Sequence, residues 1–255
     1  MFIFSDSQKR WWEFLWTMTE RELKTKYKFM FLGFLWLFLN PLIQMFVYGF
    51  IFQFFVPVKV ENYFVFLFIG LLIWNFFSLT VSKNSTIIVN KRSLIKKANF
   101  PRESIVLSVL LSNLISFLIS LTIFLLFFGT LGSFKILLTP LLLIWLLLVV
   151  SGFSFLFSAL NVRFRDINLI VSTILPLWFY WTPIVYTIDL LPKNLYWFFY
   201  LNPMTGIVEF SRYIFFNMPL NFLLGDIVSM LVGIIIFIVG LVVFKKMSLY
   251  FDDWI

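Results

Sequence analysis

Six long apolar runs dominate the sequence, and they constrain its fold more than any other feature. They lie near residues 32–56, 63–82, 104–128, 138–160, 168–188 and 226–244, and none carries Asp, Glu, Lys or Arg in its middle. About 20 helical residues cross the hydrocarbon core of a bilayer, where a central charge is costly. Because lipid leaves unpaired backbone groups unsatisfied, the runs predict an all-α integral membrane protein with six transmembrane helices.

The composition agrees with this fold class. Hydrophobic residues make up 62% of the 255 residues, charged residues only 13%, and phenylalanine alone occurs 37 times. Ordinary soluble domains are roughly 45–50% apolar and about 25% charged. The run at 141–150 is apolar on every face, whereas a membrane barrel alternates with a period of two. The sequence therefore argues against both a water-soluble globule and a barrel.

The distribution of basic residues predicts the orientation in the membrane. With a cytoplasmic N-terminus, 16 of the 20 Lys and Arg fall in cytoplasmic segments, and only Lys59, Lys135, Lys193 and Arg212 fall outside. The positive-inside rule then places both termini in the cytoplasm and the protein in the cytoplasmic membrane. There are 20 basic and 12 acidic residues, and we attribute this excess of positive charge to its role in membrane topology and to contact with lipid headgroups, not to nucleic-acid binding.

The residue types that are missing exclude most chemistry. Histidine and cysteine are absent, and no span carries the buried carboxylate on which ion-coupled carriers rely. No glycine is followed by lysine, so the phosphate loop of an ATPase is absent as well. We therefore predict no catalytic residue, no metal site and no cofactor bound by this chain, which is not an enzyme by itself. We therefore expect the energy for transport to come from a separate subunit that binds ATP and Mg²⁺.

Two segments outside the spans have amphipathic character. Residues 1–31 predict a cytoplasmic interface helix with a stripe formed by Trp12, Leu15, Trp16, Thr19, Leu23 and Tyr27. This helix serves either as a membrane anchor alone or also as a docking surface. Residues 189–225 predict two short helices that are broken at Asn202 and Pro203 and lie at the outer face.

Small residues and prolines shape the predicted spans. Serines recur every fourth position at 104, 108, 112, 116 and 120, a spacing that favours close helix packing over a polar substrate path. Pro176 and Pro183 are seven residues apart, so we expect both to lie on one side of the fifth span and to loosen it.

Aromatic residues with polar tips surround these prolines. A flat apolar face with a hydrogen-bonding tip matches the C–H faces and hydroxyl edges of sugars. The alternative is an interfacial belt of aromatic residues. The candidates for a carbohydrate path are Trp36, Tyr48, Trp178, Tyr180, Trp181 and Tyr186.

One cytoplasmic stretch carries a family resemblance. Leu-Ile-Lys-Lys at 94–97, followed by Phe-Pro-Arg-Glu at 100–103, predicts a short amphipathic helix that is stopped by the proline. This stretch resembles the signature of the second type of ABC transporter permeases, in the branch that exports polysaccharides and polyol phosphates. Residues 21–41, 159–166, 182–186 and 201–209 are similar to other stretches of that family, in the same order. The C-terminal residues 249–255 follow the family only loosely, so no role is transferred to them.

The resemblance implies an assembly and a set of site residues. It implies one transmembrane domain over 1–255, paired as a homodimer with two ATPase subunits and with a conduit between the copies. The loop at 83–103 would hold a coupling helix. The implied ATPase contacts are Leu94, Ile95, Lys96, Lys97, Phe100, Pro101 and Arg102, joined by Glu20, Arg21 and Lys24.

The same resemblance places the substrate path and its outer end. The first and fifth spans would line the conduit, which makes the six aromatic candidates its lining. The outer gate would be the region 189–225, with Asn202, Pro203, Glu209 and Arg212.

The function that follows is the ATP-driven export of a lipid-linked polysaccharide, of the O-antigen type, with membrane lipids around the protein. An exporter of teichoic acid or capsular polysaccharide is the nearest alternative, followed by a drug exporter. The spans lack basic residues, which favours neutral sugars over a phosphate-rich polymer. A membrane-embedded glycosyl or prenyl transferase is the remote alternative, because its metal would need paired carboxylates and the only adjacent pair is Asp252 and Asp253.

Overall fold

The computed structural model describes residues 6–28, 35–55, 62–97, 100–128, 134–216, 218–220 and 222–254. These residues are helical with short connections, and no strand occurs among them. Three short 3₁₀ turns lie at Phe134–Leu138, Ile188–Leu190 and Lys193–Leu195. The α-helices are α1 (Asp6–Tyr27), α2 (Trp36–Phe55), α3 (Tyr63–Asn90), α4 (Arg92–Lys97), α5 (Glu103–Phe128), α6 (Thr139–Arg163), α7 (Ile167–Trp181), α8 (Tyr196–Tyr200), α9 (Pro203–Phe216), α10 (Leu223–Ser248) and α11 (Phe251–Trp254).

Four of the described helices are long and apolar enough to cross a membrane. They are α3, α5, α10, and α6 together with the 3₁₀ turn that precedes it. The α2 and α7 helices contain shorter apolar stretches, at Phe38–Phe52 and Ile167–Trp181. The all-helical fold is therefore confirmed, whereas the count of six spans stays a prediction. Residues 32–34 and 56 of the first predicted span lie outside the described residues.

The α3 helix forms the centre of the bundle. It packs against α2, α5, α6, α7 and α9, and Phe66, Phe68 and Phe77 on it are fully buried. The helix continues to Asn90, eight residues beyond the predicted end of the second run. The extension is polar but lies inside the protein, where Asn84 and Ser85 are buried. The Ser85 hydroxyl lies 3.2 Å from the side-chain oxygen of Asn168 at the start of α7.

Small residues allow the helices to approach each other closely. A Cβ atom added to Gly152 on α6 would lie 2.7 Å from the Cα atom of Phe237 on α10, and one added to Gly240 would meet the Gly152 carbonyl. The serine row of α5 is buried, and Ser112 and Ser116 donate to carbonyls of their own helix. The burial of the row agrees with the predicted packing role at 104, 108 and 112, whereas Ser116 and Ser120 also line a cavity.

The α7 helix ends earlier than the fifth apolar run. Its last residue is Trp181, and Thr182 adopts an extended conformation with φ −95° and ψ 128°. A residue before proline avoids the helical region, so Pro183 lies beyond the helix end. The expectation that Pro176 and Pro183 loosen the same helix is therefore wrong, because only Pro176 lies inside α7.

A helix break at Asn202 and Pro203 separates α8 from α9, as predicted. The Asn202 amide donates to the Thr182 hydroxyl at 2.8 Å, and its oxygen accepts the Met204 backbone N–H at 3.0 Å. Pro203 begins α9, where a missing N–H costs nothing. The position of these helices at the outer face of a membrane stays a prediction.

The contact between α6 and α10 gives a first testable prediction. Gly240→Ala places a methyl group against the Gly152 backbone and forces the helices apart, which we expect to cost about 1–3 kcal/mol, a typical penalty for overpacking. Thermal unfolding of the detergent-solubilised protein measures the loss. Val239→Ala, at a neighbouring exposed position, is the control and should change the melting temperature little. Equal melting of both variants would contradict the close approach.

Candidate functional site

The short helix α4 holds the centre of the predicted ATPase-docking loop. Ile95 is only 4% exposed and belongs to a buried cluster with Ile88, Val106 and Phe251. Leu94 is half-buried, whereas Lys96 is exposed. The side chain of Lys97 lies outside the described residues. The helix is therefore anchored in the protein by Ile95 and presents Lys96 on its surface.

The α1 helix is tied to this loop and to the end of α3. The rings of Phe14 and Phe100 lie 4.8 Å apart between their centres. The Glu22 carboxylate forms ion pairs with the ammonium groups of Lys83 and Lys91, each at 2.7 Å. Burial alone would raise the pKa of Glu22, but the hydrogen bonds and charges of the two lysines outweigh burial and lower it. This stabilisation is fully present at neutral pH, and it is lost as the pH falls through the lowered pKa.

The predicted hydrophobic stripe of α1 is divided in the structure. Leu15 and Thr19 are buried against the bundle, together with Met18. Trp12 and Trp16, in contrast, are 51% and 60% exposed. The two tryptophans thus form a separate exposed surface, and the placement of α1 at a membrane interface stays a prediction.

The other predicted docking residues fall into two groups. Glu20, Arg21, Lys24 and Pro101 are exposed. Arg102 instead binds the C-terminal segment: its guanidinium lies 2.5 Å from the Asp252 carboxylate and donates to the Ser248 carbonyl at 3.3 Å. Asp252 is thus ion-paired, and its side chain is 52% exposed.

Two of the aromatic candidates lie together in a cleft between α2, α3 and α7. Tyr48 stacks on Phe179 with 5.3 Å between the ring centres, and Tyr180 on the next position is 58% exposed. We call this the aromatic cleft. It has a volume of about 180 Å³ and is lined by Gln44, Tyr48, Trp74, Asn75, Pro176, Phe179 and Tyr180.

The aromatic cleft contains amides that the sequence analysis missed. The Asn75 amide donates to the Gln44 side-chain oxygen at 2.9 Å, which joins α3 to α2 beside Tyr48. Amides and aromatic faces together are the groups that bind sugars. The signal in the sequence was the presence of uncharged polar residues inside apolar runs, where each needs a partner.

Three other aromatic candidates serve the packing of the protein. Trp178 makes edge contacts with Phe77 and Phe153, at 5.3 and 5.0 Å between ring centres. Trp181 lies against Phe198 at 5.1 Å. Tyr186 donates its hydroxyl to the Tyr180 carbonyl at 2.7 Å. The structure therefore does not bring these three together with Tyr48 in one cleft.

The remaining candidate, Trp36, lines a second and larger cavity between α1, α2, α3 and α5. Its volume is about 390 Å³, and we call it the lysine pocket. Its polar lining is formed by Lys26, Tyr27, Asn40, Asn75, Asn113, Ser116 and Ser120. The ammonium of Lys26 donates to the Asn113 side-chain oxygen at 3.0 Å and approaches Ser116 at 3.4 Å. From its position in the sequence, Lys26 is predicted only to be one of the cytoplasmic charges that set the membrane topology.

The predicted gate residues lie at the opposite end of the bundle, inside the protein. Arg212 is only 1% exposed, and its guanidinium lies 2.6 Å from Glu209 and 3.6 Å from the centre of the Phe66 ring. It also donates to the Ile184 carbonyl at 2.9 Å. The pair thus ties α9 to α3 and to the segment after α7.

Comparison with known proteins matches the chain along most of its length. Residues 13–216 match the family described as ABC-2 type transporter. Over 242 residues the chain is 34% identical to an O-antigen export system permease protein RfbA of Klebsiella pneumoniae, and the match covers 92% of both chains. A permease of the same name from Myxococcus xanthus is 34% identical over 208 residues, or 79% of both chains.

The Glu22 contact yields a second prediction. Glu22→Gln leaves two lysines facing a neutral amide, so we expect a destabilisation of about 1–3 kcal/mol, the usual value of charged hydrogen bonds. Hydrogen exchange of α1 and thermal unfolding measure the effect. Glu20→Gln on the same helix is the matched control, because the Glu20–Lys24 pair is exposed and worth about 0.3–0.5 kcal/mol. Equal exchange in both variants would show that Glu22 does not hold α1.

Proposed function

The chain belongs to the ABC-2 type transporter family, and on this premise we propose that it is the transmembrane subunit of an ATP-driven exporter of a lipid-linked polysaccharide. The polysaccharide is of the O-antigen type, and it crosses the cytoplasmic membrane. The observation that carries this substrate is the likeness, over 92% of both chains, to a permease named for O-antigen export. A permease of this family is not itself an enzyme.

In the proposed assembly, two copies of the chain pair with two ATPase subunits that hold ATP and Mg²⁺. The exposed basic side chains support this docking, with Lys96 on α4 and with Arg21 and Lys24 on α1. Ile95 anchors α4 in the core, and Phe100, three residues after the end of α4, contacts Phe14 of α1. We expect a movement of α4 to be passed on to the helices that pack around it.

The aromatic cleft supplies the proposed sugar path. It lies between α2 and α7, whose outward faces carry exposed apolar residues such as Phe46, Phe50 and Leu177. A second copy of the chain that covers these faces would enclose the cleft. Tyr48 and Tyr180 offer aromatic faces, while Gln44 and Asn75 offer amides, so successive sugars are held weakly and the polymer can slide.

The docking surface gives a third prediction. Lys96→Glu reverses an exposed charge on α4, and we expect the ATPase subunit to co-purify with it at least several-fold less than with the wild type. Lys193→Glu makes the same change at an exposed position in the predicted outer region, and it should leave the complex intact. Stoichiometric assembly of the Lys96→Glu variant would contradict the docking assignment. Arg102→Glu is less suited, because it also breaks the contact with Asp252.

The sugar path gives a fourth prediction, which also tests the proposed function. In cells that lack this permease, the wild-type chain should restore polymer at the cell surface. Tyr180→Ala should slow this export about 2- to 10-fold, since an aromatic contact contributes about 0.5–1.5 kcal/mol. Ile235→Ala, at an exposed position on α10 that does not line the cleft, should export normally. Failure of the wild type would refute the function, whereas normal export by Tyr180→Ala would refute only the path.

A further inference from the structure

The lysine pocket contains a cation that no described carboxylate neutralises. Lys26 lies in the last turn of α1, and its ammonium donates to Asn113 and approaches Ser116 on α5, both of which are neutral. The Tyr27 ring lies 5.4 Å from the same ammonium. Among the described residues, no ion pair includes Lys26. A half-buried charge with neutral partners alone is costly, so its presence calls for a reason.

The charges around Lys26 add to its positive field. Glu22 lies one helical turn earlier on α1, but its carboxylate is held by Lys83 and Lys91 at 2.7 Å each. Burial and then the charge of Lys83 lower the pKa of Lys26 to about 8. Within this group of four residues, three lysines thus face one glutamate. An anion in the pocket would relieve this imbalance and favour the charged form of Lys26.

The shape of the pocket suits a headgroup with an attached apolar chain. A volume of about 390 Å³ exceeds what a few water molecules need, and Asn40 and Asn75 line the same pocket as the lysine. The rim is apolar and accessible: Trp36 is 43% exposed and Leu79 is 52% exposed. A free inorganic anion gains nothing from such a rim, whereas the hydrocarbon part of a lipid does.

We propose that the lysine pocket binds the phosphate headgroup of a membrane lipid, with Lys26 as its cation and with Asn113 and Ser116 as the groups that position the lysine. A lysine ammonium suits this task, because it is a compact charge with three donors, two of which the α5 side chains orient. The phosphate belongs either to the lipid that carries the exported polymer or to an ordinary phospholipid. The first source rests on the proposed function.

A structural link to the aromatic cleft favours the carrier lipid. Asn75 lines both the lysine pocket and the aromatic cleft. Its partner Gln44 in turn approaches Asn40 of the lysine pocket at 3.5 Å. A lipid phosphate held by Lys26 would therefore place a sugar chain attached to it next to the entrance of the aromatic cleft.

Direct lipid binding tests this proposal on the full-length chain in detergent, without ATP or polymer. The probes are a polyprenyl diphosphate, phosphatidylglycerol and inorganic diphosphate, and binding is followed by titration and by the shift in melting temperature. We expect wild-type protein to bind a lipid phosphate, Lys26→Met to bind it at least about 10-fold more weakly, and Lys26→Arg to retain binding. Lys24→Met, two positions earlier and highly exposed, is the matched control and should bind as the wild type does.

A second variant keeps the test informative if Lys26→Met folds poorly. Asn113→Asp places a carboxylate about where the amide oxygen lies, 3.0 Å from the Lys26 ammonium, and the Thr80 hydroxyl at 3.1 Å can donate to it. The pocket then carries its own anion, so we expect a well-folded protein that no longer binds the lipid phosphate.

The outcomes separate the possible sources and the two proposals. Preference for the polyprenyl diphosphate assigns the carrier lipid, and equal binding of phosphatidylglycerol assigns a general phospholipid site. Unchanged lipid binding by Lys26→Met or Asn113→Asp, no lipid binding by the wild type, or equally tight binding of inorganic diphosphate would overturn the lipid-phosphate site. Because the assay involves no transport, its failure leaves the export function standing, and a failure of export leaves the binding result intact.

Discussion

Hydrocarbon offers no hydrogen-bond partner, so the polar groups within the apolar helices must be satisfied by the protein itself. Many polar side chains of the described helices meet this requirement in one of two ways, although a few buried groups, such as the Asn84 amide, have no hydrogen-bond partner. Serines such as Ser112 donate to a carbonyl of their own helix, which leaves the helix surface smooth for packing. Amides instead pair between helices: Asn75 with Gln44 at 2.9 Å, and Asn113 with Thr80 at 3.1 Å. These interhelical bonds determine which faces of α2, α3 and α5 meet, and both cavities lie beside them.

The contacts at the α1 end of the bundle connect α1, α3, α4 and the C-terminal segment. Glu22 ties α1 to the end of α3, Ile95 anchors α4 in a buried cluster, and Arg102 holds the C-terminal segment through Asp252. At the opposite end, the buried Arg212 ties α9 to the core. The proposed docking helix is thus a rigid part of the bundle. In such an arrangement, a force applied to α4 would move whole helices, because packed interiors transmit strain.

Much of the fold was predictable because its signals are local. Apolar runs without charges predict membrane helices, Asn202 with Pro203 predicts the helix break, and a serine every fourth position predicts a packed face. The end of α7 before Pro183 also follows a local rule, because a residue that precedes proline avoids the helical region. Two features were not predictable from local patterns. The α3 helix continues past its apolar run into a segment that other helices bury. The Trp178 ring contacts Phe153 within the protein, although a tryptophan in an apolar run is equally suited to line a sugar path.

Residue types and their order along the chain are sufficient to predict the membrane class, the family resemblance and the segments that carry the basic charges. Which polar residues share a cavity depends instead on the packing of the helices. Lys26 and Asn113 are far apart in sequence, and so are Tyr48 and Tyr180; helix packing brings each pair to one cavity. The physical reason is that a polar side chain in an apolar helix needs a hydrogen-bond partner within the protein. The identity of that partner depends on which other helix packs against it.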